Sequence, residues 1–186
     1  TQAQSRVAAE AVPRVPPVSV VLSVYNGMPY IDTTICSVLA QTHTDFEFII
    51  LNDGSTDGTD ECIQRYLHDP RIRYFKQENV CQGKHWDKVF GRAIELARAP
   101  LVAQIDADDV MMPTRLERQR KVFAEEPWVE MLFTNGEHID RYGFGLGRDF
   151  TLRASFDSCS LLRKLVDGSL FAHPSCMFRK AAFERV

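Results

Sequence analysis

Residues 101–109 read LVAQIDADD, a short and mostly apolar run followed by three carboxylates within four positions. Such a run is typical of a buried strand in a parallel sheet. Asp106, Asp108 and Asp109 would repel one another there unless a cation neutralised them. Mg²⁺ and Mn²⁺ prefer oxygen ligands, and Mg²⁺ is commonly held by one or two carboxylates plus substrate phosphates. The stretch therefore predicts an interior strand ending at a metal–diphosphate site, with a carboxylate-rich turn before the helix near Pro113 as the alternative.

Apolar runs on either side of this stretch predict further strands at 18–24, 46–51, 71–75 and 129–134. Segments with helical spacing lie between them, from about Pro29, at 57–67, at 86–97 and from Pro113 to about 126. Strands that alternate with helices favour right-handed crossovers and a mainly parallel sheet. The pattern thus predicts an α/β fold of the Rossmann-like kind.

Polar residues follow three of these strands: Tyr25 and Asn26 after the first, Asp53 after the second, and the acidic cluster after the fourth. Ligands of open α/β sheets bind beyond the carboxyl ends of the strands. We therefore expect these three segments to meet at one edge of the sheet.

The composition excludes several classes of protein. The chain has 186 residues, with 22 basic and 25 acidic side chains and a net charge of −3, so a nucleic-acid binder with a large cationic surface is not expected. No apolar run approaches the roughly 20 residues that span a bilayer. The five cysteines are scattered and form no C-x-x-C pair, which favours free thiols in a reducing cytoplasm over zinc or disulfides.

The two ends of the chain are less regular. Residues 1–16 are expected to be a tail, without the apolar core of a signal peptide. After residue 134, four glycines mark a stretch predicted to be flexible, followed by a short helix near 158–166. This part is either a lid or acceptor-binding segment, or an ordinary solvent loop.

Four motifs together resemble the family 2 glycosyltransferases with the GT-A fold. They are VSVVLSVYNG at 18–27, LNDGSTD at 51–57, DADD at 106–109 and HPSCMFR at 173–179, and the likeness runs from about 17 to 186. It implies a three-layer α/β/α sandwich with a nucleotide-sugar-binding domain at 17–135. Residues 136–186 would begin an acceptor-binding portion that stops before the family's usual catalytic-base motif.

The resemblance also implies a chemistry: inverting sugar transfer from a nucleotide sugar, most often a UDP-sugar, with Mn²⁺ or Mg²⁺. The acceptor would be a saccharide or a lipid-linked saccharide in cell-surface polysaccharide synthesis. The enzyme would be cytoplasmic. Peripheral association with the inner face of the membrane would suit lipid-linked acceptors. No nucleic acid is expected as a partner, and the oligomeric state is left open.

Site residues follow from the resemblance position by position. Val24, Tyr25 and Asn26 would line the nucleotide pocket, and Asp53 would accept a hydrogen bond from the base. Asp106, with Ala107 beside it, would lie near the ribose, and Asp108 or Asp109 would hold the metal. His173 would approach the donor sugar or the acceptor.

Several positions keep a second interpretation. Asp53 is compatible with a turn or helix cap, Tyr25 with core packing, and His173 with a packed side chain before Pro174. Three cationic side chains precede or lie on the helix predicted at 86–97: Lys84, Lys88 and Arg92. One of them reaches the diphosphate, or all three are solvated. In relatives the general base comes from a Glu–Asp pair beyond the His173 segment. Glu137 and Asp140 are the acids of the later loop that could replace it.

Two other functions remain open. A sugar-phosphate nucleotidyltransferase also combines such a sheet with acidic metal ligands, but it usually has a Gly-rich basic loop after the first strand, which residues 25–29 lack. A nucleotide-sugar-binding fragment without turnover is the other alternative.

Overall fold

The computed structural model describes residues 14–81, 84, 86–150 and 173–185. In this part of the chain the first strands alternate with helices: β1 (Val18–Val24), α1 (Ile31–Leu39), β2 (Phe46–Asn52), α2 (Thr59–Gln64), β3 (Ile72–Lys76), α3 (Trp86–Leu96), β4 (Leu101–Gln104) and α4 (Arg115–Glu125). They are followed by β5 (Met131–Leu132), β6 (Gly136–Ile139), β7 (Gly145–Phe150), a 3₁₀ turn (His173–Ser175), β8 (Met177–Arg179) and α5 (Lys180–Phe183).

The main sheet has six strands in the order β3-β2-β1-β4-β8-β5. Strands β3, β2, β1 and β4 are parallel, whereas β8 lies antiparallel between β4 and β5. The predicted α/β class with a mainly parallel sheet is therefore confirmed.

Successive side chains of a strand point to opposite faces of the sheet, so apolar strands expose two apolar faces. Helices cover both of these faces. Val20 and Leu22 of β1 pack in one apolar cluster with residues of α1, α2 and α4. Val21, between them, belongs to a second cluster with Val89 and Ile94 of α3. The molecule is thus a three-layer α/β/α sandwich, as expected.

The region after β5 differs from the prediction of a flexible stretch. Strands β6 and β7 form an antiparallel hairpin. Its turn is closed by Asp140, whose carboxylate accepts hydrogen bonds from the main-chain amides of Tyr142 and Phe144 at 2.8 and 3.0 Å. Gly143 supplies the positive φ of +86° that the turn needs. The helix predicted near 158–166 lies outside the described residues.

Other predicted elements are shorter than the apolar runs suggested. The helix expected to reach residue 67 ends at Gln64 and continues as turns, and the strand expected at 129–134 pairs only through Met131 and Leu132. No helix in the described part of the chain is long and apolar enough to cross a bilayer.

Candidate functional site

A cavity of about 500 Å³ lies at the carboxyl ends of the central strands. Three strands and one helix contribute to its wall: Ser23, Val24 and Tyr25 at the end of β1, Asp53 after β2, Gln104, Ile105 and Asp106 at the end of β4, and Trp86, Val89 and Phe90 of α3, together with Cys81. The structure therefore brings Val24, Tyr25, Asp53 and Asp106 together, as the sequence pattern predicts. The volume is that of an ordinary small-molecule pocket.

Asp53 lies in the wall of this cavity and is 1% exposed. One carboxylate oxygen accepts hydrogen bonds from Gln77 Nε2 at 2.5 Å and the Val80 amide at 3.0 Å, and the other accepts the Cys81 amide at 2.9 Å. The carboxylate thus holds the loop between β3 and α3. A carboxylate has about four lone-pair positions, so one remains for a ligand.

Aromatic side chains form another part of the wall. Trp86 and Phe90 lie one turn apart on α3, with ring centroids 5.8 Å apart, and Trp86 is 54% exposed. Both residues fall within the helix predicted at 86–97. Both side chains line the cavity, and aromatic rings are groups on which a flat ligand can stack.

Ser23 is a further polar group of the cavity that sequence analysis missed. Its Oγ is buried and has no hydrogen-bond partner among the described residues. Buried hydroxyls are nearly always paired, so a ligand or water is the expected partner. A serine inside an apolar strand at 18–24 was the signal that could have found it.

Asn26 does not line the cavity; its side chain binds the loop after β2 instead. Its Oδ1 accepts the Thr56 amide at 2.8 Å, and its own amide donates to Ser55 Oγ at 2.9 Å. Asp57 extends this connection by accepting the Met28 amide at 3.0 Å. Asn26 has a positive φ of 54°, a conformation that these bonds hold and that places Tyr25 at the cavity.

The acidic turn after β4 rests on α1. Thr34 Oγ1 donates to the carbonyl oxygens of Ala107 and Asp109, both at 2.9 Å. The Met111 amide donates to Ser37 Oγ at 3.0 Å, and Gln41 Nε2 donates to the Met112 carbonyl at 2.8 Å. Thr34 and Ser37 of α1, together with Gln41 just beyond the end of this helix, therefore fix the main chain that carries and follows the predicted metal ligands.

Burial and neighbouring charges both act on the carboxylates of this turn. Burial, and then the charges of Asp106 and Asp108, raise the pKa of Asp109 to about 6, while Arg115 acts in the opposite direction. Within the described residues, no three His, Cys, Asp or Glu side chains form a ready-made metal site. One or two carboxylates suffice, however, when phosphate oxygens complete the coordination. The donor set of Asp108 and Asp109 thus fits a hard divalent cation bound together with a diphosphate.

Arg115 lies behind the acidic turn and is 7% exposed. It donates to the carbonyl oxygens of Gln104, Pro174 and Cys176 at 2.9, 2.6 and 3.0 Å. Burial lowers its pKa to about 10, so the side chain stays cationic at neutral pH. Arg115 therefore ties the end of β4 to the 173–176 segment.

Arg115 was not among the predicted site residues, although its position in α4 indicates a buried, paired side chain. Arg115 and Gln119 occupy the same helical stripe as the buried Leu116 and Phe123 of α4. Polar residues in such a stripe are buried only when they are paired, which is the case here because Gln119 accepts from Arg115 Nε at 3.1 Å.

The remaining predicted residues lie elsewhere. Asp108 lines a second, smaller cleft on the other side of the acidic turn. Lys84 is exposed before α3, where its amide donates to the Cys81 carbonyl. His173 begins the 3₁₀ turn held by Arg115. Glu137 accepts the Gly147 amide at 3.2 Å, so its carboxylate, like that of Asp140, is engaged within the hairpin.

Comparisons with known proteins give a consistent result. The family model described as glycosyl transferase family 2 matches residues 19–186. The chain is 35% identical over 131 residues to a chondroitin synthase of Escherichia coli, covering 70% of this chain and 18% of that protein. It is 32% identical over 133 residues to a hyaluronan synthase of Pasteurella multocida, covering 70% of this chain and 13% of the relative. The chain thus spans less than a fifth of the length of these two curated relatives.

Solved structures show the same fold at lower identity. S. aureus TarS 1-349 in complex with UDP-GlcNAc superposes with a TM-score of 0.70 at 22% identity, covering 90% of this chain and 46% of that one. The mannosyltransferase PcManGT of Pyrobaculum calidifontis, in complex with GDP-Man and Mn²⁺, gives a TM-score of 0.54 at 24% identity, with 64% and 35% coverage.

Proposed function

The chain belongs to the family 2 glycosyltransferases, and from this premise we propose that it transfers a sugar, with inversion, from a UDP-sugar to a saccharide or lipid-linked acceptor in cell-surface polysaccharide synthesis. The observation that carries the proposal is the cavity at the strand ends, whose wall combines aromatic side chains with Asp53 and Asp106. Asp106 in this wall is also the first residue of the acidic turn. Such an arrangement suits a ligand with a flat base at one end and a diphosphate at the other.

Different residues of the cavity contact different parts of the nucleotide. Tyr25, Trp86 and Phe90 provide aromatic surface for the base, which is flat and apolar on its faces. Asp53 accepts a hydrogen bond from a ring N–H, a group that uracil presents and that lets a buried carboxylate discriminate against bases without it. Asp106 accepts hydrogen bonds from the ribose hydroxyls, with Ala107 beside it in the same turn.

Asp108 and Asp109 hold the divalent cation. When bound, Mn²⁺ or Mg²⁺ stabilises the charge of the diphosphate as a Lewis acid. A divalent cation is also present in the structure of the mannosyltransferase PcManGT, which was solved with GDP-Man and Mn²⁺. Arg115 keeps the turn in place from behind, without leaving the protein interior.

The reaction is a displacement at the anomeric carbon. The acceptor oxygen forms a bond to that carbon, and the bond to the diphosphate oxygen breaks with its electron pair leaving on the nucleotide. The acceptor hydroxyl passes its proton to a general base. His173, at the start of the segment tied to β4, is the residue that we propose contacts the donor sugar or the acceptor.

Calorimetric titration with UDP tests the nucleotide site. Wild type is expected to bind UDP in the presence of Mn²⁺, with a loss of at least about tenfold in affinity, or about 1.4 kcal/mol, in Asp108→Asn. Asp45→Asn is the matched control, because Asp45 precedes β2 at the opposite end of the sheet and its carboxylate forms an exposed ion pair with Arg14. Metal-independent UDP binding, or equal binding by both variants, would contradict the proposal.

Turnover separates the competing functions. Release of UDP from a UDP-sugar supports glycosyl transfer, whereas binding without release supports a nucleotide-sugar-binding fragment. Formation of pyrophosphate from a nucleoside triphosphate and a sugar phosphate would support the nucleotidyltransferase alternative, which family membership already disfavours.

A further inference from the structure

The tip of the β6–β7 hairpin, residues 140–148, carries three large apolar side chains that face solvent. Tyr142, Phe144 and Leu146 are 77%, 71% and 52% exposed. Single apolar residues on a surface are ordinary, but three at alternate positions of one hairpin form a patch, and exposed apolar patches mark contact surfaces. We propose that this hairpin tip docks on an anionic lipid surface, an inference that goes beyond the sugar transfer proposed above.

The hairpin tip is accessible over its whole length. Strands β6 and β7 form a two-stranded sheet of their own, separate from the six-stranded sheet. All residues from 141 to 149 are exposed. A Cβ atom added at Gly143 or Gly147 would meet no other atom within 4 Å. A flat surface can therefore reach the apolar side chains of the tip.

Two carboxylates hold the main chain of the tip in this shape. Asp140 closes the turn, as described above, and Glu137 fixes a bulge in β7. In that bulge residues 146–148 lie opposite residue 138 alone, and the amide of Gly147 donates to Glu137 Oε1 at 3.2 Å. Bulges redirect the side chains of a strand. The acids of the tip thus bind main-chain amides, whereas the apolar side chains between them are left exposed.

The free charges of the tip are positive. Arg141 and Arg148 are exposed and enclose the apolar residues from both sides. Asp140 and Glu137 already accept hydrogen bonds from main-chain amides, and Asp149 lies opposite Glu137 in the ladder, beyond the tip. Because the chain as a whole has a net charge of −3, attraction to an anionic surface has to come from a local cationic patch. Each basic residue near such a surface strengthens binding about fivefold.

The size of the patch favours a lipid surface over a protein partner. Three side chains of this kind expose only a few hundred Å². A stable protein–protein interface buries about 800 Å² on each partner. A lipid surface requires no complementary shape, since apolar side chains enter the boundary between headgroups and acyl chains while basic residues contact the anionic headgroups.

Docking at the hairpin tip also orients the candidate site. Residues 139–143 lie beside Asp108 in the wall of the smaller cleft. A docked hairpin therefore holds the acidic turn close to the lipid surface. This position suits a lipid-linked acceptor, but the docking itself does not depend on the proposed function.

Flotation of the 186-residue chain with lipid vesicles, in the absence of nucleotide, tests the inference. The chain is expected to float with vesicles of equimolar phosphatidylglycerol and phosphatidylcholine and not with phosphatidylcholine alone. Raising the salt concentration from about 0.1 M to about 1 M should release it. Phe144→Ala and Arg148→Gln should each weaken vesicle binding at least about fivefold.

Trp128→Ala is the matched control. Trp128 is as exposed as Tyr142 but lies between α4 and β5, outside the hairpin. Its replacement should leave vesicle binding unchanged. A loss equal to that of Phe144→Ala would overturn the assignment of docking to the hairpin tip.

The other outcomes are equally decisive. No flotation with the anionic vesicles, or equal flotation with both kinds, would overturn the proposal. Sedimentation of a dimer that Phe144→Ala converts to a monomer would assign the patch to contact between two copies of the chain and would also overturn it. UDP binding with Mn²⁺, measured separately, should be the same in Phe144→Ala and wild type. Vesicle binding without UDP binding would count against the proposed function alone.

Discussion

Asp53 is a residue with two tasks, since its carboxylate both holds the loop at 77–81 and faces the cavity. The three hydrogen bonds that it accepts come from donors with no other described partner for those hydrogens. The sequence interpretation offered a choice between a turn residue and a base contact. The geometry combines them, because the carboxylate that fixes the loop also forms part of the wall beside α3.

Asp53→Asn is expected to lower the free energy of unfolding by about 1–3 kcal/mol. The asparagine NH₂ group cannot accept a hydrogen bond, so at least one of the three donors that Asp53 binds loses its acceptor. UDP affinity should fall as well, since the cavity wall loosens. Urea denaturation measures the first effect and calorimetry the second. In the control Glu61→Gln, an exposed residue of α2, both quantities should stay within about 0.5 kcal/mol of wild type. Unchanged stability of Asp53→Asn would refute the loop-holding role.

Arg115 acts as a positioning residue for two motifs that sequence analysis treated separately. Its planar fork reaches carbonyl oxygens on both β4 and the 174–176 segment. Lysine keeps the charge but has no such fork. The loss of geometry, rather than of charge, should therefore decide the effect of a substitution here.

Arg115→Lys is expected to lower the free energy of unfolding by about 2–4 kcal/mol, because buried carbonyl oxygens lose their donors. Arg118→Lys, on the exposed side of the same helix, should change it by less than about 0.5 kcal/mol. Denaturation of the two variants side by side measures the difference. Equal stabilities would mean that the 174–176 segment is held by other contacts.

At the scale of whole elements, β2 depends on one buried ion-pair network. Glu47 is 3% exposed and accepts hydrogen bonds from Ser19, Arg73 and Arg98, at 2.6 to 2.8 Å. Burial alone would raise the pKa of Glu47, but the hydrogen bonds from Ser19, Arg98 and Arg73 together lower it below the ordinary value. This network joins β1, β2, β3 and the residues before β4 at the amino-terminal edge of the sheet, away from the cavity.

The pH dependence of stability follows from that pKa. The folded protein holds Glu47 ionised at a pH where the unfolded chain already binds a proton. The contribution is therefore complete above the ordinary glutamate pKa of about 4.5 and is lost as the pH falls through the lower, folded value.

Glu47→Gln is expected to cost about 2–3 kcal/mol at pH 7, below the full cost of breaking a buried pair because Arg73 and Arg98 retain contact with water. Its stability should also depend less on pH below about 5 than that of wild type. Urea denaturation between pH 3.5 and 7, in about half-unit steps, compares the two curves. Parallel curves would show that Glu47 does not carry the acid sensitivity.

Elements were predictable to the extent that their own residues bury enough apolar surface to show a pattern. Strand β1 was located to the residue, and β2 and β4 to within one, because each is a run whose side chains are buried on both faces of the sheet. Strand β8 has only three residues, too few for any periodicity. The β6–β7 hairpin is mostly exposed, and its turn depends on Asp140 side-chain bonds that composition does not reveal.

The candidate site was predictable in outline for a similar reason. Parallel strands place their carboxyl ends at one edge, so the segments carrying Tyr25, Asp53 and Asp106 had to converge. Contacts between distant parts of the chain were not predictable, because they depend on how the layers pack. Arg115 reaching Pro174 across 59 positions and Asn26 binding Thr56 belong to this second kind.

At the scale of the whole molecule, the acidic turn contributes to two cavities, because Asp106 lines the larger one and Asp108 the smaller one. The turn is also unfavourable for ionised carboxylates, because burial, and then the charges of Asp106 and Asp108, raise the pKa of Asp109. The fold accepts this cost through contacts from α1 on one side and Arg115 on the other. A ligand that brings positive charge to the turn should therefore stabilise the entire chain.

Mn²⁺ together with UDP is expected to raise the melting temperature of the chain. At about 100 times the dissociation constant, ligand binding adds about 2.7 kcal/mol, which for a protein of this size corresponds to a shift of about 5–11 °C. At the same ligand concentration, Asp108→Asn should show at most about half of this shift, because a tenfold loss of affinity leaves about 1.4 kcal/mol. Its ligand-free melting temperature should equal or exceed that of wild type, because one of the repelling charges is gone. Differential scanning calorimetry of both proteins measures all four transitions. If ligand-free Asp108→Asn melts well below wild type, Asp108 stabilises the fold and its assignment as a metal ligand is contradicted. Loss of a metal ligand should not destabilise the protein when no metal is bound.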